Sequence, residues 1–324
     1  MNIWYMCSDN YVRHLGVSML SLMENNRDID RIRFFVQCGD ISAENRQRLY
    51  DICLQYGREL IFTDSSKLGS LCDDLGLQAF RGSYVVYGKA FPEVFLPDDV
   101  DKILFIDAGD TVVSGSLKEL EALDMDGYVL AAVPATDMHA AADGGYAEGL
   151  YDVSLAKKQM YFNCGVLWMN IEEWKKRGIG GIIREGLKND PHFSLADQTL
   201  MNQFIPPEAV KVLDLKYNYN GFALSPKIAD KRLTAGGFYT LEDVRRAKNS
   251  PVIIHWPGRL AHPYVKGALC RKKQEYMKYR EMSPWKDEPL TEKMTNLLPK
   301  VENCSPKALL AKYKPVLEYY FPRG

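Results

Sequence analysis

Residues 102–113, KILFIDAGDTVV, run apolar as far as Asp107, and a second carboxylate, Asp110, follows after only Ala108 and Gly109. Much later, PVIIHWPG ends another apolar run in His255. Two carboxylates and an imidazole, each closing a short apolar run, can meet above one sheet edge. Two hard oxygen donors and one nitrogen suit an octahedral divalent ion such as Mn²⁺ or Mg²⁺, whose open positions phosphate oxygens can fill. Such an ion would neutralise a diphosphate. Taken singly, each residue also has a plainer use: Asp110 caps a turn, Asp107 solvates a strand end, and His255 is an ordinary core histidine.

The elements needed to position these groups are visible as alternation. NIWYMC is followed by VSMLSLMENN, RIRFFVQC by SAENRQRLYDICLQYG, and ELIFT by SKLGSLCDDLG. Short apolar runs alternating with amphipathic stretches read as β-α-β-α-β, hence as an α/β fold with a parallel sheet covered by helices. KILFID and YVLAAVP extend the sheet, KVLDLKYN reads as a further strand, and SLADQTLMNQFI reads as a helix. In open α/β sheets ligands bind beyond the carboxyl ends of strands, where the strand order switches, and Asp107 stands at such an end. The Gly- and Ala-rich stretch within 137–160 has neither period and reads as a helical insert or a lid.

Composition sets outer limits. The chain has 324 residues, 46% apolar and 26% charged, with a net charge of −1, which excludes a disordered class and a chain-wide attraction to nucleic acid. Charge is nevertheless segregated: from Lys266 onward there are 13 Lys/Arg against 7 Asp/Glu, so this segment carries +6 and the rest −7. Seven cysteines without a CxxC pair point to reduced thiols. No signal-peptide pattern and no run approaching the ~20 apolar residues of a membrane span is present, so a cytoplasmic protein is expected.

Read in order, the motifs of residues 1–265 resemble the family 8 glycosyltransferases, which include bacterial lipopolysaccharide galactosyl- and glucosyltransferases and glycogenin. NIWYMCSDNY is similar to the family's opening strand, where Met6, Cys7, Asp9 and Asn10 match positions that contact the uracil and ribose of a UDP-sugar. SYVVYGKAFPEVF with KILFIDAGDTVV resembles the segment that brings a basic residue to the nucleotide and then supplies the metal-binding DxD motif. Lys89 stands where the family usually has arginine, keeping the charge without the planar fork. Asp107, Ala108 and Asp110 match the DxD, with Gly109 inserted to give D-x-x-D. A glycine there would let the chain bulge so that both carboxylates still face the ion.

YFNCGVLWMN is similar to the family's FN-[SA]-G-V segment, matching Asn163 and Gly165, while ADQTLMNQF matches its DQ pair at Asp197 and Gln198, beside the anomeric carbon. Asp137 matches an aspartate placed at the sugar. VIIHWPGRLAHPY resembles H-x-x-G-x-x-K-P-W, giving His255 to the metal and Gly258 to the diphosphate; one extra residue precedes His262-Pro263, and the family's lysine is absent.

The resemblance implies a single Rossmann-like GT-A domain with a mixed central sheet over residues 1–267, and a small basic helical extension over 268–324. It implies a Mn²⁺- or Mg²⁺-dependent retaining transfer of a hexose from a UDP-sugar to a glycan or lipid-linked glycan. The catalytic set would be Asp107, Asp110, Asp197 and Gln198; an amide is a poor nucleophile, so Gln198 reads as a positioning group. Two other readings compete. FIDAGDTVV also resembles the D-x-D-x-T strand end of haloacid dehalogenase-type phosphohydrolases, although its second aspartate would fall on Gly109. The inserted glycine and the missing lysine fit a sugar-nucleotide-binding protein without turnover. The basic extension either docks on anionic lipid as a peripheral contact or packs on the main domain.

Overall fold

Strand β1 (Asn2–Met6) is apolar at four of its five positions because both of its faces are covered: Ile3 and Tyr5 enter one buried cluster, Trp4 and Met6 the other. The computed structural model describes the chain except residues 39, 81, 143–153, 190–195, 221–229, 231–232, 258–261, 269 and 293–324. The same two-sided burial recurs along β2 (Arg33–Cys38) and β4 (Lys102–Ile106), while β3 (Glu59–Asp64) lies at the edge and is more exposed. β6 (Leu130–Pro134), β7 (Phe162–Asn170) and β8 (Val210–Val212) complete a seven-stranded sheet in the order β3-β2-β1-β4-β7-β6-β8.

The sheet is mixed: β1 to β4 pair in parallel, whereas β7 runs antiparallel to both β4 and β6. From β1 the chain passes outward through β2 to β3 and then returns to place β4 on the other side of β1. The crevice between the ends of β1 and β4 is therefore the switch point at which a ligand site is expected. Helix α1 (Val12–Asn25) packs over this region, and α2 (Ala43–Gln55) starts at a Ser42 cap whose hydroxyl accepts from the Asn45 amide.

A second, three-stranded sheet sits beyond the end of β4. It consists of β5 (Thr111–Val113), β9 (Tyr219–Asn220) and β10 (Ile253–His255), with β10 in the middle. β10 pairs antiparallel with β5, so His255 lies directly opposite Thr111. One sheet thus ends just before Asp107, and the other begins just after Asp110.

The expected strand KVLDLKYN is broken. Only Val210–Val212 pairs as β8; Asp214 then accepts the amide of Lys216 on its side chain at 3.0 Å, and Leu215–Asn218 winds into a 3₁₀ turn. An aspartate inside the run competes for backbone donors and turns the chain. Beyond Gly267 the described part of the basic extension is packed into the main core: the helix Lys273–Met282 lies on α1, and Tyr276, Tyr279 and Trp285 are buried in the cluster that includes Ile3 and Tyr5. Among the described residues no helix is long and apolar enough to cross a membrane.

Candidate metal and donor site

Asp107 leaves β4 with its amide bonded to the carbonyl of Gly165 on β7 at 2.8 Å. The turn Asp107–Asp110 then crosses between sheets and is held at both ends. Thr111 Oγ1 donates to the Asp107 carbonyl at 2.6 Å, and the amide of Trp256 donates to the Asp110 carbonyl at 2.9 Å. The second bond and the Thr111–His255 pairing bring His255 beside the turn. Its Nε2 lies 3.5 Å from Asp110 Oδ2 and 3.9 Å from Asp107 Oδ2. One ligand atom from each of the three residues lies within 4.8 Å of the others.

Gly109 therefore does not push Asp110 out of the cluster. Its glycine character answers to space rather than to a left-handed backbone, since a Cβ there would sit 2.9 Å from Cδ1 of Tyr11. Gly165 is constrained more tightly, because a Cβ would meet His255 Cε1 at 2.3 Å and Asp107 Oδ2 at 2.9 Å. Neither the imidazole nor the carboxylate could keep its place over any larger residue.

Lys89 underlies the cluster. Its side chain is 3% exposed, and its ammonium reaches Asp107 Oδ1 at 3.3 Å, Asp197 Oδ2 at 2.8 Å and the Cys164 carbonyl at 3.0 Å. The ring of Phe105 lies 4.3 Å away. Three donors have three acceptors, so this lysine ties the β4 carboxylate to Asp197 in the first turn of the helix Ala196–Phe204. Burial alone would lower the lysine pKa, but Asp107 and Asp197 hold it above its ordinary value.

The titration of the three possible ligands is shared. Burial and the nearby Asp110 raise the Asp107 carboxyl, against the pull of Lys89 and His255. For Asp110 burial also acts upward, but His255 and His262 outweigh it and hold the group below its ordinary value. Burial pulls His255 down, and Asp110 and Asp107 more than offset that, leaving the imidazole raised. Two carboxylates and an imidazole nitrogen converging this closely need a positive charge among them. Lys89 supplies part of it from below, and the O,O,N donor set is one that could hold a divalent cation.

Gln198 and Asn163 flank the cluster on the β7 side, joined by Asn163 Nδ2 donating to Gln198 Oε1 at 3.0 Å. At the end of β1, Met6 and Cys7 are buried, and Asn10 is exposed in the short turn Asp9–Tyr11. Asp9 is anchored through a single oxygen: its Oδ1 accepts from Asn45 Nδ2 at 2.8 Å, Ser42 N at 3.0 Å and Ser42 Oγ at 3.1 Å. These bonds, led by that of Asn45, lower its pKa and fix it at the N-terminus of α2. Ala108 is buried. Asp137 stands in the first turn of the helix Thr136–Ala142. Together with dominant burial, it contributes to a Tyr161 phenol pushed up to about 12. Gly258 and residues 143–153 of the 137–160 insert lie outside the described residues.

Three participants were not singled out by sequence reasoning. Asn218 places its Oδ1 2.9 Å from His255 Nδ1 and its Nδ2 2.8 Å from Asn163 Oδ1. Tyr11 covers Gly109. His262, noted only as a departure from the H-x-x-G-x-x-K-P-W pattern, has its Nε2 3.6 Å from Asp110 Oδ2 and its Nδ1 2.5 Å from the Tyr264 hydroxyl. His262 could have been suspected from its place next to Pro263, but Asn218 lay within a run that read as strand.

Comparison with known proteins bears on this site. The profile described as Glycosyl transferase family 8 matches residues 2–260. General stress protein A of Bacillus subtilis is 23% identical over 299 residues, covering 88% of this chain and 94% of that protein. A lipopolysaccharide 1,2-glucosyltransferase of Escherichia coli is 25% identical over 293 residues, covering 89% of this chain and 80% of its own. Among solved structures, the galactosyltransferase LgtC in complex with donor and acceptor sugar analogs superposes with a TM-score of 0.67 at 22% identity, over 88% of this chain and 99% of that one. The fold is that of the GT-A glycosyltransferases, with the mixed sheet that the family resemblance implies; the parallel sheet expected from the alternation holds for β1 to β4, and β7 departs from it.

Proposed function

This chain belongs to glycosyl transferase family 8 and is a glycosyltransferase; from that premise we propose that it transfers a hexose, with retention, from a UDP-sugar to a glycan or lipid-linked glycan acceptor. The observation that carries the reading is the convergence of Asp107, Asp110 and His255 at the β1/β4 switch point. Family membership removes the phosphohydrolase alternative. Mn²⁺ or Mg²⁺ bound by these three residues would act as a Lewis acid and stabilise negative charge developing on the UDP leaving group.

The chain's own residues supply the rest. Asp9 at the α2 N-terminus, with Met6, Cys7 and Asn10, forms the rim on which the nucleoside would rest. Lys89 holds the Asp107 carboxylate in place and ties it to Asp197, so that the ion-binding turn and the donor-sugar side of the site move as one body. Gln198, whose carbonyl oxygen is engaged by Asn163 and by the amide of Cys164 at 3.4 Å, orients the sugar rather than attacking it. Asp137 lies on the same sugar side, and Gly258 would approach the diphosphate.

Residues 1–267 form the catalytic unit in this reading, and 268–324 the extension. In a cytoplasmic enzyme, its basic residues would hold the active site near a membrane-borne acceptor. Co-sedimentation with anionic vesicles that persists unchanged after the Lys and Arg residues of 268–324 are neutralised overturns that last point.

The decisive measurement is a screen of UDP-hexoses for divalent-metal-dependent release of UDP, with thermal stabilisation by UDP plus Mn²⁺ recorded alongside. Release from at least one donor, dependent on metal, is expected. Stabilisation without any release identifies a binding protein, and neither effect with any UDP-sugar overturns the proposal.

A further inference from the structure

We infer that Asn218 is a positioning residue for metal binding: it locks the His255 ring so that the Nε2 lone pair faces Asp107 and Asp110. This rests on the metal-dependent reading above and deepens it. A backbone amide can only donate. Gly165 N lies 2.9 Å from Asn163 Oδ1, so that atom is an oxygen and the other terminus of the amide is the NH₂ that donates to Gln198 Oε1 at 3.0 Å. Asn218 approaches the same Asn163 oxygen at 2.8 Å and must do so with its own NH₂. Its oxygen is then the atom 2.9 Å from His255 Nδ1.

An oxygen acceptor at Nδ1 requires the ring to donate there. The neutral imidazole is therefore the Nδ1–H tautomer, with its lone pair at Nε2, the atom that points at the two carboxylates. Asn218 is itself held rigidly. It is 6% exposed, closes the 3₁₀ turn Leu215–Asn218, and leads directly into β9, whose Asn220 pairs with His255 on β10. The orientation of the proposed ligand is thus set by a four-member chain running from Gln198 through Asn163 and Asn218 to His255. Its sense is dictated by the peptide N–H of Gly165. A partner of this kind on the remote nitrogen of a metal-binding histidine fixes both tautomer and ring plane, and its loss weakens metal binding by about 10–100-fold.

The test reads metal affinity and tautomer, not turnover. Nitrogen-15 NMR of the full-length protein labelled at its five histidines, with His255 assigned by the signals that vanish in His255→Gln, should show the Nδ1–H form in the metal-free and Mg²⁺-loaded protein. A ring protonated at Nε2 and not at Nδ1 overturns the inference and needs no Asn218 variant. Free Mn²⁺ measured by electron paramagnetic resonance should report binding weakened about 10–100-fold in Asn218→Leu and restored to within about threefold of the parent in Asn218→Asp, which keeps an acceptor for Nδ1–H. Folded Asn218→Leu with parental affinity overturns this inference alone. A parent that takes up no Mn²⁺ overturns both it and the metal-dependent reading.

Discussion

Among the buried histidines of the described residues, His14 at 4% exposure on α1 and His255 at 2% on β10 have surroundings that drive them in opposite directions. His14 is stacked on Tyr264 with ring centroids 3.6 Å apart, its Nδ1 lies 2.6 Å from the Tyr276 hydroxyl, and Arg13 Nε donates to its Nε2 at 3.3 Å. Burial, with Arg13 and His262 beside it, pushes its pKa down to about 3 against the weaker pull of Asp110. His255 is as deeply buried, yet Asp110 and Asp107 raise it. The lesson is that burial sets the penalty for charge and the neighbouring carboxylates decide its sign. The first region is an aromatic joint that fastens the helix Lys273–Met282 to α1, and the second is a charged site built between two sheets.

The largest expected effect removes the carboxylate side of this contrast. Asp107→Ala should lower metal-dependent UDP release by several kcal/mol of barrier, on the order of a thousandfold. The fold should stay intact, because Lys89 retains Asp197 as a partner. A variant with near-parental rates would show that the cluster is structural.

Next comes the cation beneath it. Lys89→Met leaves the Asp107 and Asp197 carboxylates without their shared ammonium and should cost about 3 kcal/mol in urea unfolding. Added Mn²⁺ should raise the melting temperature of this variant more than that of the parent, since a divalent ion replaces the missing charge at Asp107. Equal shifts in the two proteins would separate Lys89 from the metal site.

The aromatic joint predicts a pH effect of intermediate size. The folded-state pKa of His14, about 3, lies below its ordinary 6.5, so the unfolded chain takes up the proton first. Its contribution to stability is complete above about 6.5 and is lost progressively as the pH falls toward about 3, amounting to about 2 kcal/mol at pH 5. His14→Gln should flatten this acid limb when unfolding is compared at pH 7 and pH 5. Parallel curves would mean that His14 is not held neutral.

The smallest expected effect is steric. Gly165→Ala places a methyl group against His255 and Asp107, and should weaken Mn²⁺ binding by about tenfold with a loss of about 1 kcal/mol in stability. Unchanged affinity would show that the ring and carboxylate have room to move aside.

The main elements were legible because their signal is local. Two-sided apolar runs mark the strands β1, β2 and β4, and the period of α1 and α2 marks the helices that cover them. The KVLDLKYN run misled because Asp214 looks like a strand-compatible polar residue until its side chain is seen capping a turn. Asp107, Asp110, His255, Lys89, Asn163, Asp197 and Gln198 were legible as a series of motifs, and the structure brings them together. The partnership of Lys89 with Asp197 was not, since two residues 108 positions apart carry no mutual spacing signal.

The sequence by itself determined the α/β class, the family and the kinds of atom available to a metal, because residue type and order along the chain are enough for those. Whether Gly109 displaced Asp110 was decided only by the tertiary structure. The second sheet pairs Thr111 with His255 and bonds Trp256 to Asp110, so the turn is clamped from a segment more than a hundred residues away. The role of Asn218 was decided there too: hydrogen bonds are directional, and only folded contacts show which amide end faces which partner.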